Sequence, residues 1–399
     1  MATGGIASAN LVPKLAGATI NLARPSGAYE SAIAMSTEQE VETLQQDDAQ
    51  DGRAVLHEPL DCGSAKPPEV SAEWRLWMAE SRLVGVSDEQ ITSTMVQSGF
   101  DPLVAAVAMD ALRGDPFYLA ADRIAQRFKK LRSILDIRRS LTNLSCPADS
   151  IERRSSISQS EFLERYYAVN RPVILTGLLT GSGVCTRWTP EYLAEVCGDA
   201  IVQIMAGRQS DLRYEVNSES HKRAVKMSEY VRMVRDGGES NDYYLVANNG
   251  FFDLPETQAL FSEIPQLSEY LDAANAKRRV FFWFGPAGTV TPLHHDVMNI
   301  LVAQISGRKR FTLIAPEQTP FVYNEVGVYG EVNCGEPDDS RHPLYRQATP
   351  IDVTIGPGDV LFIPVGWWHY VRALDVSIML SYVNFRFPNS YEWFHPSIG

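Results

Sequence analysis

Hydrophobic and polar positions follow two different rhythms along this chain, and the change comes near residue 155. Upstream of it, apolar residues recur at three- and four-residue steps. "AEWRLWMAESRLVG" opens this region. In "VSDEQITSTMVQSGF", Ser87 with Gln90 three residues later predicts a capping box, and Gly99 predicts a C-terminal stop. In "DPLVAAVAMDALRGDP", Asp101 is placed to cap, and Pro102 sits where a missing N–H costs nothing. A third helix over about 117–140 carries Ala121, Ile124, Phe128, Leu131 and Leu135 as an apolar seam.

Downstream of 155 the runs are short and rich in β-branched and aromatic residues. They include "RPVILTGLL", "AIVQIMAGR", "DYYLVANN", "RRVFFWFG", "NILVAQISG", "KRFTLIAP", "IDVTIGPGDVLFIPVG" and "SIMLSYVNFRF". Gly, Pro, Asn and Asp punctuate them, which predicts many short strands and hence a sandwich or barrel. Helical spacing returns only near "TPEYLAEVCG" and "KMSEYVRMVRDG". There is no internal repeat. Residues 1–70 lack a sustained apolar period, are polar and acidic, end in "SAKPPEV", and are expected to stay flexible. The expected division is therefore a flexible segment over 1–70, a small all-α region over 71–145 and a mainly β domain over 155–399.

Composition narrows the picture. With 45% hydrophobic and 21% charged residues, the chain reads as a folded protein with a sizeable core. A net charge of −13 repels phosphate backbones and disfavours nucleic acid as a partner. Cys62, Cys146, Cys185, Cys197 and Cys334 are odd in number, scattered and without a C-x-x-C, which argues against a disulfide framework and suits a reducing cytoplasm. No apolar run is long enough to span a bilayer. The first 29 residues hold Lys14 and Arg24 and no acid, as transit peptides and ordinary leaders both do. Met35 opens an acidic run that would serve as an ordinary start.

The chemistry concentrates in "TVTPLHHDVMNILVAQISGRKRF", residues 289–311. In an extended segment His294 and Asp296 project to one side and His295 to the other. Two such ligands leave most positions of a metal open. Of the seven histidines, His369 in "IPVGWWHYVRAL" is the candidate third ligand, since it too lies in a strand-like run after a "GPGD" turn. Two histidines and one carboxylate on one face suit non-haem Fe(II). H-x-D alone is not diagnostic, because a strand histidine is more often a satisfied core residue. His295 is expected to be of that kind. Lys309 shares strand parity with Phe311 and Leu313, so it falls on an apolar face with no carboxylate beside it in sequence. It either snorkels at a strand end or waits for a bound dicarboxylate.

Taken together, "FGPAGTVTPLHHD", "LVAQISGRKRFTLIAP" and "GPGDVLFIPVGWWHYVRAL" resemble the JmjC (cupin-like) family of Fe(II)- and 2-oxoglutarate-dependent oxygenases, as does the upstream "RPVILTGLL…RWTPEYLAEVCGD". The resemblance covers about residues 155–399. It implies a double-stranded β-helix (jelly-roll) core with flanking helices, and His294, Asp296 and His369 as iron ligands. It further implies that Lys309, fifteen residues after the first histidine, and Thr291, three before it, bind the distal carboxylate of 2-oxoglutarate. Tyr244 takes the place of a carboxylate-binding tyrosine, with Tyr243 as the fallback. Asn384 takes the place of an asparagine near the keto-acid end. Trp283, Trp367 and Trp368 are either pocket lining or core. The chain departs from the family where an asparagine six residues after the first histidine is usual: Ile300 stands there and Asn299 comes one position early.

The implied reaction consumes 2-oxoglutarate and O2, releases succinate and CO2, and hydroxylates a C–H bond. The expected substrate is a side chain of a protein or peptide. The alternatives are N-methyl-lysine demethylation by the same chemistry, tRNA-base hydroxylation, which the net charge disfavours, and a non-catalytic cupin-like binding module. The helical region is expected to recruit substrate or to form a homodimer through its seam.

Overall fold

The computed structural model describes residues 70–145 and 150–391, apart from 156, 248 and 325. The flexible segment and the alternative start at Met35 therefore lie outside the described residues. The chain divides into two compact units, 1–131 and 132–399, which part inside a long helix.

The first unit is built from α1 (Ala72–Val84), α2 (Asp88–Gln97), α3 (Pro102–Gly114) and the start of α4 (Pro116–Ser145). Ser87 and Gln90 form the reciprocal capping box: Gln90 N donates to Ser87 Oγ and Ser87 N to Gln90 Oε1, both at 3.2 Å. Asp101 caps α3 through Leu103 N at 2.8 Å, with Pro102 following it. Met78, Ile91, Met95, Ala105 and Met109 form the buried core, with Trp74, Trp77 and Phe100 packed against it. The seam on α4 is only partly covered: Ile124, Phe128 and Leu131 are exposed.

Among the described residues, thirteen strands run through the second unit: β1 (Arg153–Arg154), β2 (Val173–Leu175), β3 (Ile201–Ala206), β4 (Lys222–Lys226), β5 (Tyr243–Tyr244), β6 (Val280–Gly285), β7 (Val290–His295), β8 (Ile300–Ser306), β9 (Lys309–Ile314), β10 (Ile351–Ile355), β11 (Val360–Ile363), β12 (Trp368–Ala373) and β13 (Ser377–Tyr382). Six form one sheet in the order β1-β2-β11-β8-β13-β6, four a second in the order β10-β9-β12-β7, and β4-β3-β5 a third. Apart from the short β1–β2 pair, the two larger sheets are antiparallel. This is the expected jelly-roll architecture.

Alternation along the strands decides what each face meets. On β8, β11 and β13, Leu301, Ala303, Val360, Phe362, Ile378 and Leu380 turn outward, into a core shared with α5 (Pro190–Cys197), α6 (Met227–Asp236) and α7 (Gln258–Glu263). The intervening Val302, Leu361, Ile363 and Met379 turn inward against Phe311, Leu313, Ile355 and Val371 of the four-stranded sheet. Strands buried on both faces must be apolar throughout, which is why "ILVA" and "VLFI" show no alternation. The outer face of the four-stranded sheet packs Leu293, Trp368 and Tyr370 against Val322, Val332 and Tyr345 from the β9–β10 connection.

Candidate functional site

β7 is the edge strand of the four-stranded sheet, and it contains a proline. Pro292 is tolerated because it falls at a bulge. His294 lies opposite His369 and Thr291 opposite Val371, so Pro292 and Leu293 together face the single residue Tyr370. The extra residue reverses the alternation. Thr291 and His294, three apart, therefore share the inner face with His369 and Val371. Lys309 pairs with Ala373, which puts it on that face too.

The free edge of β7 is closed by side chains and by a turn. Val290 N donates to Asn241 Oδ1 at 2.8 Å, and Val290 O accepts from Arg208 Nη2 at 2.7 Å and from the Tyr214 hydroxyl at 3.1 Å. Arg208 is fully buried, pairs with Glu215 at 2.9 Å and lies 4.2 Å from the centre of the Tyr214 ring. Further along, Gly330 N donates to Leu293 O and His295 N to Val328 O. The same turn brings the Tyr329 ring to 6.1 Å from that of His294.

His294, Asp296 and His369 converge: one ligand atom from each lies within 4.8 Å of the others. The imidazole rings are 4.1 Å apart, and His369 Nε2 is 3.5 Å from Asp296 Oδ2. His294 Nδ1 bonds Pro292 O at 2.8 Å and His369 Nδ1 bonds Trp367 O at 3.0 Å. A carbonyl only accepts, so each Nδ1 carries a proton, which leaves Nε2 as the nitrogen of each ring that can ligate. Burial, together with the positive field of a neighbouring imidazole, holds His369 well below the usual histidine range and so in the neutral form that ligates. Surrounding bulk pushes the Asp296 carboxyl upward, although 36% of its side chain remains accessible; the two neighbouring imidazoles pull it the other way. Two imidazoles and a carboxylate are the donor set of a facial triad, and the residues present fit a divalent first-row metal such as Fe(II).

Deeper in the barrel, Lys309 is 1% exposed. Its Nζ donates to the Tyr244 hydroxyl at 2.6 Å and lies over the faces of Tyr244 and Trp283 at 5.2 and 5.9 Å. None of the ion pairs among the described residues includes it. Burial alone pulls the ammonium down to about 7. Gly285 makes room for this arrangement, since a Cβ there would stand 2.6 Å from the Tyr244 ring. Tyr243 turns away and donates to Met233 O.

Other sequence-derived candidates separate. His295 points outward and packs edge-on against Trp368, 4.7 Å away. Trp368 itself faces the β9–β10 connection, donating to Thr319 Oγ1, and Trp367 donates to Asn170. Trp283 and Trp367 both pack with the inward-facing residues, and Trp283 donates to Ser381 Oγ. Asn384 does not join the triad. Its Nδ2 donates to Asp272 O at 2.9 Å, and it lines a small cleft with Phe261, Ile264, Val280 and Tyr382 on the helix-covered side of the six-stranded sheet. Arg208, Asn241 and Tyr329 carry no mark in the sequence, since the contacts that tie them to one another and to β7 span 33 or more residues.

Residues 159–391 match the Cupin-like domain family. The chain is 31% identical over 262 residues to Lysine-specific demethylase 8 of Xenopus tropicalis, covering 62% of this chain and 54% of that protein. It is 29% identical over 242 residues to Lysine-specific demethylase JMJ30 of Arabidopsis thaliana, covering 58% and 54%. With tRNA wybutosine-synthesizing protein 5 of Gallus gallus it shares 26% identity over 249 residues, covering 59% and 77%. The chain thus spans about half the length of the two demethylases.

Proposed function

Because this chain belongs to the cupin-like JmjC family, we propose that it is an Fe(II)- and 2-oxoglutarate-dependent oxygenase that hydroxylates a side chain of a protein or peptide. The observation that carries this reading is Lys309: a buried lysine with no carboxylate partner among the described residues, on the same inner face as the His294–Asp296–His369 cluster. An unpaired buried ammonium is costly. A dicarboxylate reaching the metal with one end and Lys309 with the other offsets that cost.

His294 and His369 would hold the metal through Nε2 and Asp296 through a carboxylate oxygen. The bound iron, with 2-oxoglutarate and O2, supplies the oxidation, releasing succinate and CO2 and delivering a hydroxyl group. Lys309 and Tyr244 would donate to the distal carboxylate, and Thr291, on the same face, would add a third donor. Trp283, its ring 5.9 Å from Lys309 Nζ, would wall this end. The hydrogen bonds from Nδ1 to Pro292 O and Trp367 O fix both rings before any ligand arrives.

The test is an anaerobic titration with Fe(II) and 2-oxoglutarate, then succinate measurement in air. Stoichiometric binding and slow uncoupled turnover are expected; no iron binding would leave a binding module. A second reading is favoured by the names of two relatives, both called lysine-specific demethylases. The readings share the oxidation and part afterwards. A hydroxyl on an N-methyl carbon collapses by C–N cleavage to formaldehyde and the demethylated amine, whereas one on an ordinary side-chain carbon persists. Formaldehyde release against a stable +16 Da product separates them, with a tRNA substrate as a control arm. To residues 71–145 we assign substrate recruitment or dimerisation. Serine at Ile124, Phe128 and Leu131 is expected to weaken one of these, by sedimentation or by substrate KM, and to spare iron binding.

A further inference from the structure

One triad residue lies just outside regular strand pairing, and another sits at the start of its strand, directly after a loop. Asp296 follows the end of β7, and His369 is the second residue of β12, after the loop 364–367. What holds that loop to the Asp296 turn is a pair of hydrogen bonds. Gly366 N donates to Asp296 O at 3.0 Å, and Val365 N donates to Asn299 Oδ1 at 2.8 Å. From the other side, Asn170 Nδ2 donates to Val365 O, and Trp367 Nε1 donates to both Asn170 O and Asn170 Oδ1, each at 2.9 Å. Asn170 takes a left-handed φ of 56°, unusual for a residue with a side chain and here fixed by these bonds. Trp367 O then receives the Nδ1–H of His369.

We infer that Asn299 is a positioning residue for the metal cluster: its side-chain amide staples the segment bearing His369 to the turn bearing Asp296. The inference rests on the assignment of His294, Asp296 and His369 as metal ligands. Asn299 is 1% exposed, and each of its polar atoms is engaged. Oδ1 receives Val365 N. The other contacts face the C-terminal segment: Asn299 N and Nδ2 donate to Asn389 Oδ1 at 2.8 and 3.1 Å, Nδ2 reaches the Tyr391 hydroxyl at 3.2 Å, and Asn389 Nδ2 donates to Asn299 O at 2.9 Å. The amide is therefore double-ended, with its acceptor serving the metal side and its donor serving the tail. Ile300, next in sequence, belongs to the β8–β11 ladder opposite Ile363, so it cannot replace that acceptor.

This division makes positioning separable from plain stability. Asn299→Ala removes both ends, Asn299→Asp keeps the acceptor and loses the donor, and Asn389→Ala removes tail contacts alone. The probe is Co(II), read by its visible absorption band and by anaerobic titration, with thermal midpoints measured in parallel. Asn299→Ala is expected to lose about 10-fold or more in Co(II) affinity and to alter the band, as loss of an outer partner of a metal ligand does. Asn389→Ala is expected to lower the thermal midpoint yet keep the wild-type band and affinity, and Asn299→Asp to keep the band. Should Asn299→Ala not fold, Asn299→Gln, which misplaces the same acceptor by one methylene, is expected to alter the band in its place. Wild-type affinity and band in Asn299→Ala, or an equal loss in Asn389→Ala, would overturn the inference alone. No Co(II) binding by the wild-type protein would overturn the reading of the site and the inference with it.

Discussion

The six-stranded and four-stranded sheets face each other across one core, yet their inward residues differ in kind. From the larger sheet come Val302, Leu361, Ile363 and Met379. The smaller one contributes Phe311, Leu313 and Val371, but interleaves them with Thr291, His294, Lys309 and His369. One sheet is a wall that supplies apolar burial. The other accepts costly polar groups, and the wall makes that cost tolerable. A function built on buried imidazoles and an ammonium needs both, because desolvation keeps His369 neutral and lowers Lys309 toward neutrality.

Substitutions in the two sheets should therefore fail in opposite ways. The largest effect is expected from His369→Ala, which should lower Fe(II) or Co(II) affinity by about 100-fold or more while leaving the metal-free thermal midpoint near wild type. A collapse of that midpoint would show that the polar sheet also carries stability. Leu380→Ala in the wall should cost about 2–5 kcal/mol by chemical denaturation, with metal affinity unchanged in the folded fraction. Lys309→Met should abolish measurable 2-oxoglutarate binding and raise the midpoint of the ligand-free protein. The gain should be greatest below pH 7 and shrink as pH rises toward 10. In that window the unfolded lysine still holds its proton and the buried one, with its value near 7, does not, so wild-type stability climbs with pH.

The same shift predicts proton uptake when 2-oxoglutarate binds. At pH 8.5 the ligand-free Lys309 is mostly neutral and must be protonated to meet the carboxylate. Calorimetry in two buffers of different ionisation enthalpy should give nearly one proton taken up at pH 8.5 and almost none at pH 6. Equal values at both would mean that Lys309 is charged throughout. Thr291→Val should have the smallest effect, weakening 2-oxoglutarate by about 1 kcal/mol, a single hydrogen bond, with metal affinity intact.

The wall was the more legible of the two from sequence. Runs such as "VLFI" and "SIMLSY" are strands by composition alone, and the capping box at Ser87 marked its helix without ambiguity. β4 escaped notice because "KRAVK" has one buried residue and four exposed ones, too little contrast to show a period. In the polar sheet, the parity of Lys309 with Phe311 could be counted off the chain, and so could the pairing of His294 with Asp296. The sharing of a face by Thr291 and His294 could not be counted, since simple alternation puts them on opposite sides and only the bulge reconciles them. Tyr244 and Lys309 meet across 65 residues, a closeness that no local pattern encodes. Whether Asn384 serves the keto-acid end or is an ordinary strand-end polar residue could not be counted off the chain either, because which side such an amide faces is decided by its neighbours, here Asp272.

The added residue in β7 also bears on how this protein can change. Between Thr291 and His294 the strand runs out of phase with its partner. Losing either Pro292 or Leu293 would leave the threonine and the histidine two positions apart, the spacing at which regular pleating keeps both on the inner face. A single-codon loss in the bulge would therefore leave the chemistry facing inward, whereas the loss of His295 would make His294 and Asp296 adjacent and turn the carboxylate away from the imidazole.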